Sequence, residues 1–476
     1  MASILSNASI ASVGRFINGA IGVLVTVLLT RLLTPAGYGQ YSAILSYGML
    51  FQIAGDLGLY LTLTRLLGKS SQHRNDIAAA VSLRVSLLGV LFFAGLLAAH
   101  IFSPFPGLNV ALGILMIGLL LQSLSQLCIG IYQAASTIWP ATVGDSIGRL
   151  IQLGGIAWVF WASTSSQPVP LAAIMFTAGA AAAFMVHLYL LPHRHFFWPD
   201  FSWRRWQELI KISWPLGLLL VLNTIYFRVD MVMLPIWRSA TEVGLYALAY
   251  RLIENLLFFP AMFGGLLLPR FSEALAGEKA RHLLIETLKV VVLGASAISL
   301  LLMLLPEVII GYIGGPEFLG ASVLVRILTL AFILMCFGNI FGFVLVAQGK
   351  NKILLTLYAI LVVMNIAANV LFIPRFGAAA AAWITVATEL IAASTAGIIV
   401  MRSTRPRYDL LWIAKWAGAT ALSIVVVMLL PAALPGFIRL AAALALFGAL
   451  QILVGTGTKN QFPHLLHKPE TSHANN

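Results

Sequence analysis

Asn109 to Ala134 read NVALGILMIGLLLQSLSQLCIGIYQA, without a single Asp, Glu, Lys or Arg. About 20 such residues wound into a helix cross the ~30 Å of hydrocarbon in a bilayer. A porin-like barrel would need short strands of alternating polarity, so continuous apolarity predicts a helix. Comparable runs recur at 8–32, 40–66, 77–102, 140–162, 169–191, 208–236, 243–269, 285–312, 320–347, 352–373, 378–401, 412–433 and 437–455, which makes fourteen spans. The expected fold class is an all-α integral membrane protein.

Composition agrees. Of 476 residues, 60% are hydrophobic and only 9% charged, against roughly 25% charged in a soluble domain. Soluble and disordered architectures are thereby excluded. The net charge of +13 would point to nucleic acid in a soluble protein, but in a membrane protein it first reports orientation. Twenty Lys and Arg fall on the side of both termini and four, Arg31, Arg238, Arg375 and Arg439, on the other. The positive-inside rule therefore predicts cytoplasmic termini and an even number of spans. The N-terminus lacks a basic n-region, so the first apolar run reads as a retained span.

A weak internal repeat divides the chain. Gly39-Gln40-Tyr41-Ser42 resembles Gly244-Leu245-Tyr246-Ala247, and Tyr132-Gln133-Ala134 resembles Ala347-Gln348-Gly349. Both offsets equal six spans, so the halves would run parallel, as in two-lobed transporters. The expected domains are an N-terminal lobe (1–191), a C-terminal lobe (192–401), two extra helices (402–455) and a cytoplasmic tail (456–476).

Charges inside the spans carry the functional reading. They are Arg15, Asp56, Asp145, Arg149, Arg228, Asp230, Arg251, Glu254 and Glu389, with Arg326 nearer an end. Each costs ~2.5–3.5 kcal/mol at mid-bilayer and so calls for a partner or a wet cavity. Asp145 with Arg149, and Arg251 with Glu254, share helix faces and can neutralise each other or line a cavity. Arg228 and Asp230, two apart, point to different faces. Arg15 has no acidic neighbour on its helix and either snorkels or faces the cavity. Asn365 and Asn369, one turn apart, either pack between helices or face the cavity. Span one has no carboxylate for a cationic drug, whereas Arg offers a planar fork suited to phosphate oxygens. An anionic substrate, with Arg15, Arg228, Arg251 and Arg149 as its candidate ligands, is expected. Asp56, Glu254 and Glu389 are the candidate ion-coupling carboxylates. No enzymatic motif, metal-ligand spacing or cofactor motif is present, and Cys128 and Cys336 form no CxxC or disulfide framework.

Two stretches resemble a known family. Gly14-Arg15-Phe16-Ile17-Asn18-Gly19, with Leu29-Thr30-Arg31-Leu32-Leu33-Thr34-Pro35-Ala36-Gly37-Tyr38-Gly39-Gln40-Tyr41, is similar to the start of the polysaccharide (O-antigen type) flippases. These belong to the multidrug/oligosaccharidyl-lipid/polysaccharide (MOP) exporter superfamily. Asn365 to Ala379, NIAANVLFIPRFGAA, resembles that family's link between spans eleven and twelve. The resemblance implies a V-shaped pair of six-helix lobes around a cationic cavity, with Arg15 near a substrate diphosphate. It also implies a bacterial inner-membrane protein that flips an undecaprenyl-diphosphate-linked oligosaccharide outward by alternating access. Implied partners are that lipid-linked oligosaccharide, membrane lipids, a polysaccharide polymerase and chain-length proteins, with no nucleic acid. A cation-coupled drug exporter of the same superfamily and a membrane polymerase or ligase are the competing readings. The first predicts unpaired carboxylates lining the cavity, and the second a sizeable outward loop.

Overall fold

A computed structural model of the chain describes residues 2–67, 74–102, 105–162, 168–191, 198–274, 278–404, 410–429 and 436–453. The expected tail (456–476) and the His193–His195 loop lie outside the described residues. Every described element is helical: α1 (Ala2–Asp56), α2 (Leu59–Leu67), α3 (Arg74–Phe102), α4 (Asn109–Ala134), α5 (Trp139–Ala162), α6 (Pro168–Leu190), α7 (Trp203–Trp237), α8 (Ala240–Leu256), α9 (Phe258–Ala274), α10 (Glu278–Leu304), α11 (Pro306–Ile313), α12 (Ala321–Ala347), α13 (Asn351–Thr404), α14 (Leu410–Leu429) and α15 (Gly436–Leu453), with a 3-10 turn at Pro316–Phe318.

These helices resolve into the fourteen spans expected from the apolar runs. Two long helices are each a folded pair. α1 turns back at Thr34 (φ 57°), immediately before Pro35, and α13 turns at Gly377 (φ 62°), three residues after Pro374. Proline removes a backbone donor and cannot continue the ladder, and Gly377 supplies the positive φ that other residues avoid. The stretches that resemble the flippase family therefore form these two corners. Elsewhere one span breaks into two helices. α8 ends at Leu256 and α9 starts at Phe258, because Pro260 has no N–H for the Leu256 carbonyl. α10 stops before Leu305, and Pro306 opens α11 at the position where a missing N–H costs nothing.

The described chain forms two compact units. The first comprises Met1–Arg251, Ile310–Leu324 and Leu355–Thr385, so it holds the whole expected N-terminal lobe, all of α7, most of α8 and parts of α11, α12 and α13. In hydrocarbon, helices gain little from burying apolar surface and instead associate through close backbone approach at small residues. α5 and α6 meet this way: a methyl group on Gly148 would lie 2.6 Å from the Gly179 carbonyl oxygen, and one on Gly179 would lie 2.7 Å from that of Gly148. α1 and α2 are separated by Leu57 and Gly58, both at positive φ, and this break seats against Gly217 of α7, where any side chain would strike the Leu57 backbone.

Arg84 of α3 is fully buried and ion-paired with Asp56 at the end of α1, and it donates 2.7 Å to the Ser123 carbonyl of α4. Its place two turns into a span, counted along the sequence, put it among the twenty face-marking cations. That assignment is corrected here: the guanidinium is an internal strut joining three helices.

The second unit comprises Leu252–Ile309, Val325–Leu354 and Val386–Asn476. Its described helices surround a cavity of about 540 Å³ lined by Leu288, Val292, Phe337, Phe341, Ile398 and Trp416 among others. Lys289, paired with Glu286 at 3.1 Å, is the one charged side chain on its wall. Trp416 donates 3.1 Å to Ser296 and so ties α14 to α10.

Removing one member of a buried ion pair strands the other charge at a cost of about 3–5 kcal/mol, whereas apolar replacement of both is far cheaper. Asp56→Ala should therefore lower the unfolding temperature of the detergent-solubilised protein sharply. Asp56→Leu combined with Arg84→Met should restore most of the loss.

Candidate functional site

In the first unit, α1 and α5 mesh along one face at successive turns. A methyl group on Gly14 would overlap Thr142, Ser146 donates 3.0 Å to Asn18, and the space left by Gly22 holds the Arg149 guanidinium, whose Nη1 would lie 2.8 Å from a Cβ there. Small residues on α1 at every fourth position thus decide where the α5 side chains can go. Arg149 is the eleventh residue of the 24-residue α5, about 15 Å along its axis. Its side chain is nevertheless exposed. A guanidinium at that depth calls for a partner, a wet cavity or a path to the interface.

Asp145, one turn before Arg149, is not devoted to it. The Asp145 carboxylate lies 3.7 Å from Nε2 of His187 on α6 and also interacts electrostatically with Arg149. His187 is fully buried, its Nε2 is 3.2 Å from the Ala141 carbonyl, and Gly144 leaves the room it fills. Tyr132 of α4 donates to the His187 carbonyl. The carboxylate one turn from Arg149 thus also lies beside a histidine on the next helix.

Arg149 also interacts electrostatically with Arg251, the twelfth residue of α8 and about 16 Å along it. Arg251 in turn acts on Tyr41 of α1. Two guanidiniums from different halves of the chain therefore lie within electrostatic reach of each other. Like charges there repel, and an anion between them relieves the repulsion while accepting two hydrogen-bond forks. Arg228 is half-buried on α7, about 13 Å from the end of that helix, and interacts with Asp230. The side chain of Arg15 lies outside the described residues.

Two buried carboxylates of this unit are held by protein groups. Asp56 faces Arg84. Asp230, buried, accepts from the Tyr246 hydroxyl and, at 2.8 Å, from the Met231 amide. Glu254 is half-buried and Glu389 buried, both in the second unit. Gly338 of α12 lies next to Glu389, whose Oε2 would be 3.9 Å from a methyl group there. Arg326, also in the second unit, pairs with Glu307 at 2.7 Å. Asn369 donates 2.7 Å to Asn365, so these two bond within their own helix.

Sequence reasoning did not single out Tyr246, His187 or Arg84. Tyr246 did carry a signal, since it stands in the repeated tetrapeptide. His187 and Arg84 carried none, because their partners are on other helices. Among the described residues, no group of three or more His, Cys, Asp or Glu could hold a metal ion.

A family model described as "Polysaccharide biosynthesis protein" matches residues 4–275, more than half of the chain. No curated protein sequence matches. Among solved structures, a lipid II flippase MurJ in an inward closed conformation superposes with a TM-score of 0.77 at 14% identity, covering 93% of this chain and 98% of that one. An inward-facing MATE multidrug-resistance transporter of the MOP superfamily gives 0.62 at 14% identity, over 81% and 95%. A MATE transporter from Vibrio cholerae gives 0.57 at 13% identity, over 85% and 98%. At these identities the likeness establishes the fold, which is that of the MOP transporters.

Losing a hydrogen bond to a charged, buried group costs about 1.5–3 kcal/mol. Tyr246→Phe should destabilise the protein by that order in thermal unfolding, and Asp230→Asn, which leaves the tyrosine an acceptor, should cost less.

Proposed function

The chain belongs to the polysaccharide biosynthesis protein family, and on that basis we propose that it flips a polyprenyl-diphosphate-linked oligosaccharide from the cytoplasmic to the outer leaflet of the bacterial inner membrane. One observation carries this reading: Arg149, exposed at mid-span and seated against Gly22, lies within electrostatic reach of Arg251 from the other half of the chain. A diphosphate carries the charge and the oxygen geometry to fill that place. Arg228 on α7 extends the same cationic lining, and Arg15 stays a candidate ligand by its place in the sequence alone.

The cycle is alternating access. The headgroup enters from the cytoplasmic side, pairs with the arginines and leaves after the two lobes, 1–191 and 192–401, rearrange around it. The apolar cavity of the second unit, walled by Phe337, Phe341 and Trp416, suits an apolar lipid chain. The excess of cations on one side supports a cytoplasmic position for both termini. Of the coupling carboxylates, Glu254 and Glu389 remain the candidates, because Asp56 is already occupied by a guanidinium. A polymerase and chain-length proteins are the partners expected downstream.

The multidrug-exporter reading needs a carboxylate free to receive a cationic drug. Asp56, Asp145 and Asp230 each have a protein partner, which counts against it. The polymerase reading needs an extended outward catalytic loop, and the described connections are short.

Complementation of a surface-polysaccharide flippase deletion tests the proposal. Wild type should restore surface polysaccharide. Arg149→Ala and Arg251→Ala should each lower transport tenfold or more, the equivalent of one or two charged hydrogen bonds, with the lipid-linked intermediate accumulating. Gly22→Val, which crowds the Arg149 guanidinium without removing its charge, should reproduce much of the Arg149→Ala loss. Normal transport by both alanine variants at normal expression would refute the arginine assignment, and drug resistance conferred by wild type instead would favour the exporter.

A further inference from the structure

The uncharged helix α4 carries three glutamines, Gln122, Gln126 and Gln133, on a single face. At about 100° per residue they fall within about 40° of one another. Gln126 is nine residues on from Ile117 and so points about 180° away from it. Ile117 and Val110 are 56% and 72% exposed and mark the lipid side of the helix. The glutamines therefore face the interior of the first unit. Their face runs between two packing seams: Gly118 meets Phe176 and Thr177 of α6, and Gly130 meets Tyr60 and Thr64 of α2.

An amide in a membrane helix can act as glue between helices, and Gln52 of α1 does. It is buried and donates 3.0 Å to the Leu119 carbonyl. The stripe on α4 is different. Gln122 and Gln126 are half-buried and Gln133 is exposed. Gln122 accepts 3.4 Å from Gln52, and Gln133 accepts 2.7 Å from the Tyr60 hydroxyl. Among the described residues, neither of these two amides donates to the protein, and the Gln126 side chain makes no hydrogen bond. An amide left unpaired away from water costs about 1–3 kcal/mol, so the stripe calls for water or a polar ligand.

We propose that Gln122, Gln126 and Gln133, with Tyr60, bind the sugar hydroxyls of the lipid-linked oligosaccharide. A carboxamide both donates and accepts, so it can take the oxygen and the hydrogen of a hydroxyl. No charged residue stands on α4, which suits a neutral glycan rather than the diphosphate given to Arg149 and Arg251. The placement fits as well. Counted from the short connection that joins α4 to α5, Gln122 lies about 18 Å in and Arg149 about 15 Å. The stripe thus starts near the level of Arg149 and runs ~16 Å toward the end of α4 expected in the cytoplasm. That is the course of a short glycan whose diphosphate sits at the arginine. The inference rests on the flippase reading and adds the glycan contacts to it.

The test reconstitutes the full-length protein in vesicles with two fluorescent lipids, polyprenyl diphosphate bearing a trisaccharide of N-acetylglucosamine and the same lipid without sugar. Gln126→Met with Gln133→Met, similar in shape but unable to donate, should lower the ratio of glycosylated to bare transfer at least tenfold. Gln126→Asn with Gln133→Asn, which keeps the amides, should recover part of that ratio. A second arm needs no transport. In protein with Cys128→Ala and Cys336→Ala, labelling of Gln133→Cys by a water-soluble maleimide should slow at least threefold in millimolar free trisaccharide and not in inorganic pyrophosphate. A ratio unmoved by the methionine pair, or labelling untouched by the trisaccharide, would overturn the glycan stripe. If the methionine variant does not assemble, the protection arm decides alone. Protection by the trisaccharide in a protein that transfers neither lipid would leave the sugar site standing and remove the flippase reading. Transfer of both lipids with an unmoved ratio would do the reverse.

Discussion

A guanidinium in hydrocarbon must be answered, and the ways this chain answers its own divide structure from function. Arg84 is closed off by Asp56 and the Ser123 carbonyl, and Arg326 by Glu307. Arg31 and Arg238 spend their forks on carbonyls at helix ends. Arg149 is different: exposed at mid-span, seated against Gly22, near a carboxylate that also lies 3.7 Å from His187, and within electrostatic reach of a second arginine. On the reading proposed above, that arrangement serves an anionic headgroup rather than the scaffold.

Glycine provides the other half of the design. Gly22 makes room for the Arg149 head, Gly148 and Gly179 let α5 and α6 close on each other, and Gly39 and Gly244 let two corners touch. Small residues therefore do in this membrane protein what large apolar side chains do in a soluble core.

Much of the fold was legible in advance because apolar length is a strong signal. A 26-residue run such as Asn109–Ala134 has few alternatives to a membrane helix, and all fourteen spans followed from that reasoning. What lay beyond it were relationships between helices. Arg84 looked like a face-marking cation because its position along α3 was visible and its Asp56 partner, on another helix, was not. Asp145 and Arg149 looked like a local pair because their spacing is i,i+4, while His187 lies some forty residues on. Asp230 was noticed only beside Arg228, although its buried partner Tyr246 was already marked by the repeat. The repeat itself was legible as a pattern, but that its two copies touch at Gly39 and Gly244 was not.

The central claim is that the arginine pair exists for a lipid diphosphate. Its most direct measurement is leaflet transfer of a fluorescent polyprenyl-diphosphate sugar in vesicles containing the purified protein, read by quenching from outside. The account predicts transfer well above that of protein-free vesicles and inhibition by excess unlabelled polyprenyl diphosphate. Transfer no faster than in protein-free vesicles, with a cationic dye exported by the same preparation, would contradict it.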